Sequence, residues 1–88
     1  MMDNEKESLV KGIGRIHTTE MGLVRIADNL GIGNGDIVGW CRSAILDKSS
    51  TVSRMGKNWY VSIGDCVLTV NVHSYTVITA HRRKGNKA

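Results

Sequence analysis

The hydrophobic period of this chain changes once, near Thr51, and that change constrains the fold more than any other feature. Upstream of it, Leu23, Ile26, Ala27 and Leu30 recur at i, i+3, i+4 and i+7, which gathers them on one helix face. Downstream the period is two, the repeat of strands that bury one face. One switch from helical to strand spacing defines an α+β chain with its helices first. The expected architecture is two to three N-terminal helices packed on one face of a four-stranded antiparallel β-meander.

The chain has no proline, so glycine supplies the punctuation. A short first helix over 5–11 ends at Gly12 and Gly14. Thr18 or Thr19 caps a second helix, Thr19–Leu30, because a hydroxyl oxygen accepts the first unpaired N–H groups. Gly31 follows as its left-handed C-terminal stop. The third helix, Asp36–Leu46, starts with a carboxylate at the positive end of its dipole and turns Ile37, Val38, Cys41, Ala44 and Ile45 to one side. Two-residue turns at Gly56-Lys57, Gly64-Asp65 and His73-Ser74 would join the strands.

Residues opposite one another in an antiparallel pair share a sheet face. That register turns Val52, Trp59, Val61, Ile63, Cys66, Leu68, Val70, Val72, Tyr75 and Val77 toward the helices, with Thr79 and His81 following the same parity. The outer face receives Ser53, Met55, Asn58, Tyr60, Ser62, Val67, Thr69, Asn71, Thr76, Ile78 and Ala80. A three-residue final loop would exchange Val77 and Thr79 for Ile78 and Ala80. The outer set is rich in hydroxyls, yet Met55, Tyr60, Val67 and Ile78 make it too apolar for idle exposure. It is the expected surface for a homodimer, a ligand or nucleic acid.

At 88 residues the chain is one domain, 1–88, with 1–4 and 82–88 expected as flexible tails. So short a chain buries only roughly 60–65% of its extended surface, and a dimer partner would steady it. The composition, 41% hydrophobic and 23% charged, is that of a globular domain. No apolar run approaches the ~18 residues that cross a bilayer. The start is acidic and polar, unlike a signal peptide, so a cytoplasmic protein without membrane contact is expected. Cys41 and Cys66 then read as two buried thiols, since neither disulfide nor metal spacing is present.

The net charge of +4 comes from the end of the chain, where Arg82, Arg83, Lys84 and Lys87 stand without an acid. Without them the charges balance. Such a tail is a solvated terminus or an arm for phosphates. Lys57, beside Asn58, Trp59 and Tyr60, adds a cation next to aromatic rings that could stack bases.

Chemistry is narrowed by missing motifs. There is no Walker loop, Rossmann fingerprint, GxSxG or CxxC, and no cofactor is implied. Gly31–Gly35 precedes a helix but follows no strand, so it reads as one helix end joined to the next start. No metal site is expected either. His73 at a turn and His81 at a strand end would stand roughly 26 Å apart, whereas zinc ligands lie about 2.1 Å from their ion. His17, Arg25, Thr79 and His81 could instead converge where helix meets sheet. One imidazole would then remove a 2′-hydroxyl proton, the other or Arg25 would meet the developing charge, and Thr79 would orient a phosphate oxygen.

Three segments carry a resemblance. They are His17-Thr18-Thr19-Glu20-Met21-Gly22 with Arg25-Ile26 and Asn29-Leu30, then Gly56-Lys57-Asn58-Trp59-Tyr60, then Thr69 through His81. Together they resemble a small bacterial family known as domain of unknown function 3781, over most of 16–81. The family name implies no activity. The run from Asn71 to His81 is more elaborate than a hairpin requires, which adds Asn71, His73, Ser74 and Tyr75 to Tyr60 and Thr69 as ligand-binding candidates. The order of helices before a meander also resembles bacterial ribonuclease toxins of the barnase–colicin type, although no acid stands ready as general base.

Two functions are therefore expected in competition. One is a binding or dimerising module acting through the outer sheet face. The other is a metal-independent ribonuclease or RNA-binding module that uses the histidine rim and the basic tail. A small-molecule ligand is a third reading.

Overall fold

The computed structural model describes residues 4–32 and 35–82. Among them α1 (Asn4–Lys11), α2 (Glu20–Leu30) and α3 (Ile37–Leu46) precede β1 (Thr51–Met55), β2 (Asn58–Ile63), β3 (Cys66–Asn71) and β4 (Val77–Arg82). The sheet runs β1-β2-β3-β4 with every neighbour antiparallel. The expected α+β meander is the fold.

Local chemistry sets the helix ends. Thr19 accepts the Gly22 N–H at 3.0 Å, and Gly31, at φ 67°, closes α2 on the Ala27 carbonyl. Asp36 accepts the Gly39 N–H at 2.9 Å and starts α3. Beyond the C-terminal end of α3, buried Lys6 donates to the carbonyls of Asp47 and Ser50, both at 2.8 Å. An ammonium is thereby taken inside only against two oxygens that accept its protons. The buried stripe of α2 is Gly22, Ile26 and Leu30, and Leu23 is exposed. Gly22 is required there because a Cβ would meet the Thr18 hydroxyl.

The first three strands follow the expected parity. Val52 pairs with Val61, Trp59 with Val70, and Val61 with Leu68, all buried toward the helices. They meet Leu9, Ile16, Ile26, Leu30, Ile37, Cys41 and Ile45 in one core. Trp59 also donates its indole N–H to Glu5 at 2.9 Å, tying α1 to β2.

The fourth strand departs from expectation. The last connection is not a two-residue turn at His73-Ser74, because β3 ends at Asn71 and β4 begins at Val77. The pairing then slips, from Val70–Val77 to Thr69–Thr79, leaving Ile78 as the extra residue of a bulge. Strict alternation can bury Val77 or Ala80 but not both. The bulge buries both, at 1% and 0% exposure. Thr79 and His81 consequently lie opposite Thr69 and Val67 on the outer face, not toward the helices. Ala80 moves inward in exchange.

The edge of β4 is closed. His17 forms a parallel bridge to Thr76, with its N–H on the Tyr75 carbonyl at 3.2 Å and its carbonyl receiving the Val77 N–H at 2.8 Å. Thr18 donates to the Val77 carbonyl at 2.7 Å and Asn29 to that of Ala80 at 3.2 Å. The Val77 N–H and carbonyl and the Ala80 carbonyl, which would invite another strand, are thus occupied. Of the expected tails only Asn4 and Arg82 are described, and 1–3 and 83–88 lie outside the described residues. Asn4 opens α1, and Arg82 of β4 pairs with Cys66 while donating to the Leu30 carbonyl at 3.1 Å.

Both cysteines are free and buried. Burial pushes the Cys41 thiol up to about 11 and raises that of Cys66, which also faces Asp65. A raised thiol leaves stability unaffected below the ordinary value of 9.0 and lowers it as pH climbs toward 11. At pH 8 the native protein should therefore resist maleimide at both cysteines and react fully once unfolded, as intact mass will report. Ala80→Leu should overfill the core and lower unfolding free energy by about 1–3 kcal/mol in a denaturant titration. Ile78→Thr, at the bulge, should change it by about 0.5 kcal/mol or less.

Candidate functional site

The residues picked out in the sequence gather in two separate places. The first is the loop between β3 and β4. The Asn71 side-chain oxygen accepts the N–H groups of His73 at 2.9 Å and Ser74 at 3.0 Å, folding the loop back on itself. The Ser74 hydroxyl lies 2.7 Å from that of Thr76, which lies 3.1 Å from Nε2 of His17. Nδ1 of His17 stands 2.8 Å from the Arg15 carbonyl. A carbonyl only accepts, so Nδ1 carries a proton, and in the tautomer with its single proton there Nε2 accepts from Thr76. Ser74 also donates to the Asn71 side-chain oxygen at 3.3 Å, and either hydroxyl of the Ser74–Thr76 pair can be the donor between them.

Tyr75 sits inside this loop at φ 61°, a left-handed conformation that a bulky side chain adopts at a cost of roughly 1–3 kcal/mol. Its surroundings hold it there. The ring tilts 57° against Trp59 with centroids 5.3 Å apart, and the Arg15 guanidinium lies 4.5 Å over its centre. Gly12 passes directly beneath, where a Cβ would enter the ring. Tyr75 is thus the plug that fixes the loop to α1, the Ile13–Arg15 turn and β2.

Thr76 also faces a cleft of about 280 Å³ between α2 and β4, lined by Thr19, Met21, Gly22, Arg25, Thr76, Val77 and Ile78. Arg25 therefore does share a site with His17, through Thr76. His81 does not. From Thr76, which His17 touches, to His81 is roughly 16 Å along the strand at about 3.3 Å per residue. The rim of two imidazoles with Thr79 is not brought together, because the bulge carries Thr79 and His81 to the other face.

The second place is the outer sheet face. Tyr60, Thr69 and Thr79 stand in one row across β2, β3 and β4, with His81 opposite Val67 beside them. Thr69, between Tyr60 and Thr79 in that row, is 8% exposed although the helices lie on the other side. The cations expected at nucleic acid are dispersed. The Lys57 carbonyl binds the Val72 N–H just beyond one end of β3, whereas Arg82 pairs with Cys66 at the other end. Arg83 and Lys84 lie outside the described residues. Among those residues, no three His, Cys, Asp or Glu side chains gather in a way that could hold a metal.

Sequence reasoning missed Thr76 and Arg15. The alternation of hydroxyls at Ser74 and Thr76 could have flagged the first, but nothing in the sequence places Arg15 over the ring of so distant a residue as Tyr75.

Fold and loop together define a small α+β meander domain with helices on one sheet face and a histidine-threonine cluster at one edge. The chain matches the family described as protein of unknown function (DUF3781) over residues 10–81, and it belongs to that family. No curated protein and no solved structure matches it. No described helix is long and apolar enough to cross a membrane.

Gly12→Ala tests the plug. The new methyl must displace the Tyr75 ring, so unfolding free energy should fall by about 1–3 kcal/mol. Tryptophan fluorescence of the folded state should shift as the ring leaves Trp59.

Proposed function

We propose that this domain works by pairing with a second copy of itself through the outer face of its sheet. One observation carries the reading. The positions facing outward on β1 to β4 are Thr51, Ser53, Met55, Asn58, Tyr60, Ser62, Val67, Thr69, Asn71, Thr79 and His81, and none is Asp, Glu, Lys or Arg. A solvated sheet face in a chain with 23% charged residues would ordinarily carry several. Charges stand instead at the sheet's ends, in Lys57, Asp65 and Arg82, while Arg54 lies opposite Trp59 and so shares the helix-side parity. A charge-poor centre with aromatic and hydroxyl side chains inside a polar rim is the composition of an interface core.

Self-pairing fits this face better than nucleic acid does. In a two-fold dimer each residue near the axis meets its own copy, so a like charge there would repel itself. An uncharged face avoids that conflict. Phosphate binding demands the reverse, cations spread along the groove beside Tyr60. Strands about 4.8 Å apart and five or six residues long give a face of roughly 19 by 18 Å. Two such faces give a footprint of about 680 Å², below the ~1,000 Å² at which stable specific pairing begins, so the dimer should be a weak, transient one.

Sedimentation velocity from micromolar to millimolar chain should show reversible dimerisation. Thr79→Lys and Tyr60→Lys, each with unchanged circular dichroism, should shift the chain to monomer over that range. A monomer at millimolar concentration, or a dimer indifferent to both substitutions, would overturn the proposal.

A further inference from the structure

The cleft at the β4 edge is independent of the outer face and holds a different chemistry. Covalent catalysis by a hydroxyl needs a base bonded to it, a group that orients the base, and space for a substrate beside the oxygen. Thr76 has all three. His17 Nε2 lies 3.1 Å from its oxygen, the Arg15 carbonyl holds Nδ1 at 2.8 Å, and the cleft opens on its side. The backbone bridge between His17 and Thr76 fixes their separation, so the pair does not depend on two mobile side chains finding each other.

The geometry points to Thr76 as a base-activated nucleophile that accepts the acyl group of a small ester bearing a negative charge. Its oxygen attacks the carbonyl carbon while its proton passes to Nε2 of His17. The carbonyl electron pair moves onto oxygen, then returns as the bond to the leaving alkoxide breaks. That alkoxide takes the proton from the imidazolium and departs as an alcohol. Water then attacks the threonine ester, gives its proton to His17 and releases the carboxylic acid as the Thr76 hydroxyl is restored. The net reaction is ester hydrolysis. The Ser74 hydroxyl lies 2.7 Å from the Thr76 oxygen.

The walls select the substrate class. Met21 and Ile78 line the cleft at 67% and 42% exposure, an apolar lining for a short carbon chain. Arg25 on the α2 wall supplies the positive charge for a carboxylate or phosphate on that chain. An amphiphilic anion fits both.

The purified chain should be incubated with 4-nitrophenyl hemisuccinate and, separately, with neutral 4-nitrophenyl acetate. Nitrophenolate release should be faster for the anionic ester, with one succinyl group found on Thr76 by peptide mass spectrometry. Thr76→Val and His17→Gln should each lower that rate about a hundredfold. Arg25→Met should erase the preference for the anionic ester. Acylation confined to lysines, or a rate unchanged in His17→Gln and Thr76→Val, would overturn the assignment. The bridge uses backbone groups alone, so both variants should melt as the unmodified chain does, and a lost rate with an unchanged melting curve is then not a lost fold.

Discussion

The structure turns on one steric demand, that β4 bury both Val77 and Ala80. They are three positions apart, and a pleated strand cannot aim both at the same layer. The extra residue Ile78 resolves the conflict, and everything after it changes side. The same bulge that seats Ala80 against Leu68 sends Thr79 and His81 outward and lets Arg82 reach the Leu30 carbonyl. A single inserted residue in one strand therefore decides which polar groups the helices see and which the solvent sees. Bulges beside edges often re-aim side chains in this way.

The bulge is held by what surrounds it. On one side the 16–18 segment lies along the β4 edge, giving and taking backbone hydrogen bonds around Thr76. On the other, Tyr75 is locked in a left-handed conformation by Trp59, Arg15 and Gly12. The energy of that conformation is offset by aromatic and cation–π contacts worth roughly as much. Arg15 has two roles in this arrangement, since its guanidinium covers Tyr75 while its carbonyl orients His17. Loop position and imidazole orientation are thereby set by the same residue.

Much of this is legible in the chain itself. The helix ends at Thr19, Gly31 and Asp36 follow from hydroxyl, glycine and carboxylate chemistry that acts over three or four residues. The first two hairpins follow from alternation, where a slip of one residue would put polar side chains into the core. Alternation does not decide the last hairpin, because Val77, Ile78 and Ala80 are all small enough and apolar enough for either side. Burial of the first and third requires an irregularity that alternation by definition omits. The candidate site is only partly legible for the same reason. His17, Arg25, Asn71, Ser74 and Tyr75 do lie around one loop and cleft, whereas the bulge reverses the parity that would carry Thr79 and His81 there. Lys6 is not legible either, since a lysine in a first helix reads as solvated until the carbonyls of Asp47 and Ser50 are seen above it.

The outer face and the cleft do not compete for space. The face is built from side chains that alternate away from the helices, and the cleft lies between α2 and the sealed edge of β4. Edge-to-edge pairing, a ready way for a small sheet to associate, is blocked on the β4 side by Thr18, Asn29 and the His17 bridge. A second copy is thereby turned away from that edge. Pairing there would cover Thr79 and Tyr60 while leaving Thr76, Arg25 and Met21 on the helix side of the strand open to solvent. β4 contributes to both, Thr79 and His81 to the face and Val77 and Ile78 to the cleft, and the bulge at Ile78 is what divides one strand between two surfaces.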